Sequence, residues 1–233
     1  METRQEKLLF LVIETYIKTA EPIGSKFLVE KAGLDWSEAT VRNELRALED
    51  DGYLSHPHTS AGRVPTTKGY EHYLRVLNIG ASVPSHSVAS RKESDLLQEA
   101  FSAYKDFEQA MKNVAKKLVE VSDETVLIAF SPDKVYYTGL ANLFEKPDFE
   151  EMKQVATVSE ALDNCDECLP QFIEKVKNEP NFYLGDAHPF GSMLSVVASR
   201  FGEDNKSLIV LIGPQRMNYK KNWSLVHKII EII

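Results

Sequence analysis

The side chains best suited to chemistry lie in a segment whose apolar residues follow helical spacing. Val41, Leu45 and Leu48 recur at intervals of four and three, which predicts a helix with one buried stripe. The polar residues that this places on the outer face are Arg42, Asn43 and Arg46, with Thr40 at its margin. An arginine can bridge O6 and N7 of guanine, and an asparagine can bridge N6 and N7 of adenine. This face could therefore read base edges in the major groove, although an ordinary solvated helix face is the alternative interpretation.

The surrounding elements favour the first interpretation. Residues 4–19 and 26–32 predict two further helices, and Ser37 is the expected N-cap of the third. Residues 53–65 predict a short hairpin, and residues 68–78 predict a fourth helix. Three helices followed by a hairpin describe a winged helix, whose third helix enters the groove. The further side chains predicted to contact DNA, mostly at phosphates, are Lys26, Ser37, His58, Thr59, Ser60, Arg63 and Lys68.

Composition sets the broad class of the protein. The chain has 233 residues, 43% hydrophobic, and a net charge of −8, which fits a globular protein of one large or two ordinary domains. Neither the first eighty residues nor the remainder is basic, so any DNA binding must depend on local cations. No apolar run is long enough for a membrane span, and the N-terminus lacks a signal-peptide pattern. The two cysteines cannot form a disulfide framework, which predicts a reducing, cytoplasmic location.

The second part of the chain predicts a linker, a long helix and a sheet. Residues 80–93 are small and polar and predict the linker, while residues 94–122 predict one helix. The apolar stripe of that helix is Leu97, Ala100, Tyr104, Phe107, Met111, Val114, Leu118 and Val121. It could be a dimer seam, it could cover the chain's own sheet, or one wide stripe could do both. Strands are predicted at 125–130, 135–139, 182–185, 193–201 and 207–213. With helices between them, they predict a mostly antiparallel α+β sheet that carries its helices on one side.

Residue types typical of catalytic or metal sites are present, but their spacing does not form such a site. Cys165 and Cys168 have the spacing of half a zinc site, without a second pair. Residues 62–69 contain Gly, Thr and Lys but not the phosphate-loop pattern, and Arg216 lies in a turn sequence. We therefore expect no enzyme activity, no cofactor and no metal.

Several motifs resemble the heat-inducible transcription repressor HrcA family. The N-terminal ones are EPIGS at 21–25, TVRNEL at 40–45, HTSAGRVPT at 58–66 and KGY at 68–70. Further along, TGLANLFEKPDF at 138–149, FYLGD at 182–186 and IGPQRMNY at 212–219 resemble the C-terminal segments of the same repressors. The chain departs from the family in the middle, where residues 132–134 stand in place of a long segment with an inserted dimerisation domain.

The resemblance implies both an architecture and a function. Residues 1–79 would be a winged-helix DNA-binding domain, 80–93 a linker, and 94–233 the long helix with a truncated GAF-like domain. The protein would be a shortened family member that represses heat-shock or chaperone genes. It would bind an inverted-repeat operator in double-stranded DNA as a homodimer, with a chaperonin as a possible further partner and no membrane. The alternative is a GAF-like sensor of small molecules or proteins whose winged helix makes protein contacts only.

Overall fold

The computed structural model describes residues 3–31, 35–57, 62–77, 89–149, 151–202 and 206–233. The chain divides into two compact units, Met1–Ile79 and Gly80–Ile233. The elements of the first unit are α1 (Thr3–Thr19), α2 (Ser25–Lys31), α3 (Glu38–Asp50), β1 (Leu54–Ser55), β2 (Val64–Pro65) and α4 (Thr67–Leu77).

The helix α3 has a defined start, a defined end and one buried face. Its N-cap is Ser37, whose hydroxyl accepts a hydrogen bond from the Thr40 amide at 3.1 Å. Its last turn leads into Gly52, whose φ of 75° lies in the left-handed region that favours glycine. The residues of α3 that enter the core of this unit are Val41, Leu45 and Leu48. The helix packs there against α1 and α2.

The two short strands form an antiparallel hairpin that is tied to the connection between α1 and α2. Leu54 lies opposite Pro65, and Arg63 continues the pairing by exchanging two backbone hydrogen bonds with Ile23, at 2.8 and 2.9 Å. Gly62 permits this close approach, since a Cβ there would lie 2.5 Å from the carbonyl carbon of Ile23. The base of the hairpin is therefore fixed to the helical part of the unit.

The second unit has five strands in one sheet, with helices between them. Its helices are α5 (Arg91–Ser102), α6 (Phe107–Ser122), α7 (Leu140–Phe144), α8 (Met152–Asp163), α9 (Cys165–Lys175) and α10 (Tyr219–Ile232). Its strands are β3 (Thr125–Ser131), β4 (Lys134–Thr138), β5 (Asn181–Leu184), β6 (Leu194–Phe201) and β7 (Ser207–Pro214). The strand order is β4-β3-β7-β6-β5, and every neighbouring pair is antiparallel. The prediction of mixed helices with an antiparallel sheet is confirmed.

Helices cover both faces of this sheet, so the prediction that they lie on one side is wrong. Leu127, Val196 and Val210 belong to a core shared with α8 and α9. Their neighbours along the strands are also buried, and α6 and α10 pack against the sheet. Successive side chains of a strand point to opposite faces, so continuous burial requires a cover on each face. The continuous apolar runs in β3, β6 and β7 therefore indicate, already in the sequence, a sheet that is covered on both faces.

The predicted helix over residues 94–122 is in fact two helices, which pack against each other. Asp106 starts α6 by accepting a hydrogen bond from the Gln109 amide at 2.9 Å. Across the turn, Asn113 Nδ2 donates to the carbonyl of Ala100 at 2.8 Å. Spacing alone could not reveal the break, because both helices bury the same kind of stripe. The buried members of that stripe are Leu97, Ala100, Met111, Val114 and Leu118, so it belongs to the core of its own unit.

The helix α5 begins inside the predicted linker. Ser90 is its N-cap, and Glu93 completes a capping box with it. The rest of that linker, through residue 88, lies outside the described residues.

A buried carboxylate joins three elements of the second unit. Glu124, just before β3, lies 2.5 Å from Lys146 Nζ and 3.5 Å from Asn222 Nδ2 of α10. A Cβ on Gly213 of β7 would fall 2.3 Å from its Oε2, so the carboxylate lies directly against that strand. Burial raises the pKa of Glu124 to about 7, although Lys146 and Asn222 act in the opposite direction.

We expect Glu124 to make the second unit less stable as pH rises from 4.5, its ordinary pKa, to about 7. Over this range the unfolded chain releases the proton while the folded chain retains it, so the free energy of unfolding falls. Glu124→Gln should remove this pH-dependent part, which is roughly 3 kcal/mol at most. The measurement is the free energy of unfolding in urea at several pH values, followed by the fluorescence of the buried Trp223. All variants carry Trp36→Phe, so that Trp223 is the tryptophan that reports.

Glu93→Gln is the control for that experiment. Burial alone would raise the pKa of Glu93, but hydrogen bonds with Lys221 and Ser90 hold it below its usual value. Its contribution has the opposite sign, since it stabilises above the unfolded pKa and is lost as pH falls. A Glu124→Gln variant whose stability follows the wild-type pH curve would contradict the prediction.

Candidate nucleic-acid interface

The outer face of α3 presents the three side chains that the sequence singles out for base reading. Arg42, Asn43 and Arg46 are exposed, while the opposite face of the helix is buried. Thr40 at the margin is half-buried, and its hydroxyl lies 2.8 Å from that of Ser37. Ser37 and Thr40 are therefore engaged with each other at the start of the helix.

The two arginines of this face differ in how firmly they are held. Arg42 forms an ion pair with Glu38, one turn earlier on α3, at 2.5 Å. Glu38 also accepts a hydrogen bond from the Ser25 hydroxyl at 3.2 Å, which links α3 to α2. Among the described residues, no ion pair or side-chain hydrogen bond restrains Arg46. Arg46 is thus free to adopt the rotamer that a partner requires, whereas Arg42 must first leave its carboxylate.

A cleft of about 260 Å³ brings three arginines together. It is lined by Ile23, Gly24, Ser25, Arg42, Leu45, Arg46, Gly62 and Arg63. The cleft lies where α3 faces the backbone bridge between Ile23 and Arg63. Guanidinium groups match the geometry of phosphate oxygens and bind them through paired hydrogen bonds. The arrangement can therefore accept an anionic group beside the exposed face of α3.

The side chain of Arg63 is not free in this structure. Its Nε lies 2.9 Å from Oε2 of Glu49, as an ion pair rather than an aligned hydrogen bond, and each side chain is 21% exposed. The other carboxylate oxygen of Glu49 makes a short contact with Nδ1 of His56. Glu49 on α3 therefore holds both sides of the hairpin, one residue beyond each strand.

The two lysines predicted to contact DNA also differ in how firmly their ammonium groups are held. Lys26 is 75% exposed, and its ammonium lies 3.8 Å from Glu30. Lys68 donates to the Asp51 carbonyl at 2.7 Å and lies 4.5 Å from the centre of the Tyr53 ring. Lys68 thus satisfies a carbonyl at the C-terminal end of α3, a structural task that the sequence did not reveal. The predicted loop contacts His58, Thr59 and Ser60 lie outside the described residues.

Sequence reasoning missed the importance of two acidic residues. The pairing of Glu38 with Arg42 has the i, i+4 spacing that stabilises helices, so the sequence carried a usable signal. The partners of Glu49 are seven and fourteen residues away, across a turn and a hairpin. No local pattern predicts such contacts.

The second unit also contains side chains of reactive types. Cys165 and Cys168 lie at the start of α9 as free thiols, and burial raises the pKa of each. His188 is buried, which lowers its pKa. Arg216 forms a two-pronged ion pair with Asp148, with Nε 2.8 and 3.0 Å from the carboxylate oxygens. Within the described ranges, no group of His, Cys, Asp and Glu could hold a metal, and no helix could span a membrane.

Comparison with known structures supports the fold of the whole chain. A crystal structure of a hypothetical protein at 2.2 Å resolution superposes with a TM-score of 0.76, over 99% of this chain and 97% of that chain. Sequence identity is 16%, so the likeness concerns the fold alone.

Comparison with curated proteins gives consistent relatives. The Heat-inducible transcription repressor HrcA of Caldanaerobacter subterraneus subsp. tengcongensis is 36% identical over 138 residues, covering 58% of this chain and 38% of that protein. The protein of the same name from Bifidobacterium animalis subsp. lactis is 39% identical over 127 residues, covering 54% and 33%. These two matches therefore span well under half of each relative.

A third relative aligns along nearly its whole length. The Heat-inducible transcription repressor HrcA of Thermodesulfovibrio yellowstonii is 25% identical over 332 residues, covering 97% of this chain and 95% of that protein. The alignment is longer than the chain, so that relative contains residues with no counterpart here. Residues 77–222 match the family model described as HrcA protein C terminal domain. Because this model covers more than half of the chain, the chain belongs to the HrcA family.

Proposed function

We propose that this protein is a sequence-specific DNA-binding transcription repressor of heat-shock or chaperone genes. Its first unit acts as a winged helix, with α3 in the major groove and the β1–β2 loop as the wing. Its second unit is a GAF-like domain that serves regulation and assembly. The names of the matched relatives support a repressor, and the family assignment makes the chain a regulator rather than an enzyme.

The observation that carries this proposal is the exposed face of α3. Arg42, Asn43 and Arg46 offer the donors and acceptors that match guanine and adenine edges. In the cleft beside them, Arg42 and Arg46 provide cations that fit a backbone phosphate. Lys26 provides a further exposed cation for the backbone, and the loop residues His58, Thr59 and Ser60 are proposed to lie over the adjacent phosphates.

We further propose that two copies bind an inverted repeat. A two-fold dimer presents two recognition helices to two half-sites, which accounts for palindromic operators. In this chain Pro132 and Asp133 form the tight turn between β3 and β4, in place of the family's inserted dimerisation segment. The dimer would therefore form through other surfaces. A chaperonin is the proposed regulatory partner, and the cytoplasm, which holds bacterial DNA and chaperonins, is the proposed location.

A specific cleft favours a second candidate function, ligand sensing by the second unit. This cleft of about 530 Å³ is lined by Phe107, Asn178, Arg200, Phe201, Gly202, Ile230 and Ile233. Its size is typical of small-molecule sites. The Nε of Arg200 is buried there without a hydrogen-bond partner among the described residues. Under this alternative the first unit would contact proteins rather than DNA.

The salt dependence of DNA binding separates the two candidates. If α3 and its neighbours neutralise phosphates, the logarithm of the binding constant falls linearly with the logarithm of salt concentration, by about 0.9 for each phosphate contact. We expect a steep slope, measured by fluorescence anisotropy on labelled duplexes selected from a random pool. Affinity no better than that of a neutral control protein would contradict DNA binding and favour the sensor.

Arg46→Ala should weaken binding to the selected duplex by about 1–3 kcal/mol, because a base or phosphate contact is lost. Arg42→Ala should cost less, since Arg42 must give up its ion pair with Glu38 before it binds. Lys18→Ala is the matched control, because it removes one exposed charge at the end of α1. Equal losses for Arg46→Ala and Lys18→Ala would argue against a reading role for α3.

A further inference from the structure

Glu49 joins α3 to both sides of the hairpin. One carboxylate oxygen contacts Nδ1 of His56, just after β1, and the other lies 2.9 Å from Nε of Arg63, just before β2. The backbone of Arg63 is held as well, through its two hydrogen bonds with Ile23. Neighbours within the same unit thus fix the backbone of Arg63 and oppose the charge of its side chain.

This arrangement changes what Arg63 can offer to DNA. Its guanidinium lines the same cleft as Arg42 and Arg46, yet its charge is already opposed by Glu49. An arginine that remains paired with a carboxylate neutralises no phosphate and releases no counterion. Affinity for DNA of arbitrary sequence depends almost wholly on that release, whereas discrimination between sequences depends on base contacts.

We propose that Glu49 is a specificity-determining positioning residue. By keeping Arg63 paired, it lowers affinity for unrelated DNA. By holding both sides of the hairpin, it keeps β1 and β2 in one position relative to the proposed reading face of α3. This inference rests on the proposed DNA-binding function, and it concerns selectivity within that function.

Replacing Glu49 tests the proposal, and the same helix supplies a matched control. Glu44 also lies on α3, is also 21% exposed, and lies 3.9 Å from Arg4, and among the described residues it forms no ion pair or hydrogen bond with the hairpin. Glu49→Gln and Glu44→Gln therefore remove the same charge from the same helix.

On a duplex of random sequence, Glu49→Gln should steepen the salt slope by about 0.9 more than Glu44→Gln does, because one further phosphate becomes neutralised. On the selected duplex, the ratio of specific to random affinity should fall for Glu49→Gln and stay close to wild type for Glu44→Gln. Equal slopes and equal ratios for the two variants would overturn the proposal. Wild-type protein that binds neither duplex would overturn the DNA-binding function instead.

Arg63→Gln in two backgrounds provides the second measurement. Arg63→Gln should change the salt slope of DNA binding by about 0.9 more in the Glu49→Gln protein than in the wild-type protein. The reason is that the Arg63 guanidinium reaches a phosphate only when Glu49 no longer pairs with it. The same effect in both backgrounds would overturn the proposal. If Glu49→Gln fails to fold by circular dichroism, Arg63→Gln alone decides, because a fall of about 0.9 in the wild-type slope would show that Glu49 does not withhold this cation.

Discussion

The burial of one face of α3 is the constraint on which the proposed interface depends. Val41, Leu45 and Leu48 enter the core of the first unit, and each such burial contributes roughly 1.5–3 kcal/mol. An exposed ion pair such as Arg42 with Glu38 contributes only about 0.3–0.5 kcal/mol. The core therefore sets the rotation of the helix, and the surface charges follow from it. With the apolar face turned inward, the polar early turns have no orientation available except outward.

Carboxylates, rather than an excess of cations, organise the charge of this surface. The chain carries a net charge of −8, yet three of its arginines meet in one cleft beside α3. Glu38 and Glu49 each hold one of those arginines, which lowers the positive charge but fixes where it lies. Phosphate contacts are local, so an acidic protein can still present a small cationic site. Such a surface would bind weakly to DNA in general, which leaves base contacts to decide affinity.

The second unit shows why an apolar stripe is ambiguous evidence for a dimer. Met111, Val114 and Leu118 satisfy the spacing of a coiled-coil seam, yet they are buried in the core of their own unit. Because the sheet is apolar on both faces, it needs helices on both, and α6 supplies part of one cover. At the turn between α5 and α6, Tyr104 and Phe107 remain 50% and 45% exposed. A homodimer formed through this unit would therefore need a surface other than the buried residues of the stripe.

The sequence by itself determined the helix that carries the proposed reading face, its N-cap, the strands and the family, because these depend on local spacing and short motifs. Ser37, Val41 and Arg42 could be assigned correctly to a cap, a buried face and an exposed face. Only the tertiary structure decided that the stripe of residues 94–122 folds back on itself, since in this chain the apolar spacing of three and four happens to continue across the turn. It also decided that Glu49 holds Arg63, because a contact between residues fourteen positions apart depends on how α3 and the hairpin pack together.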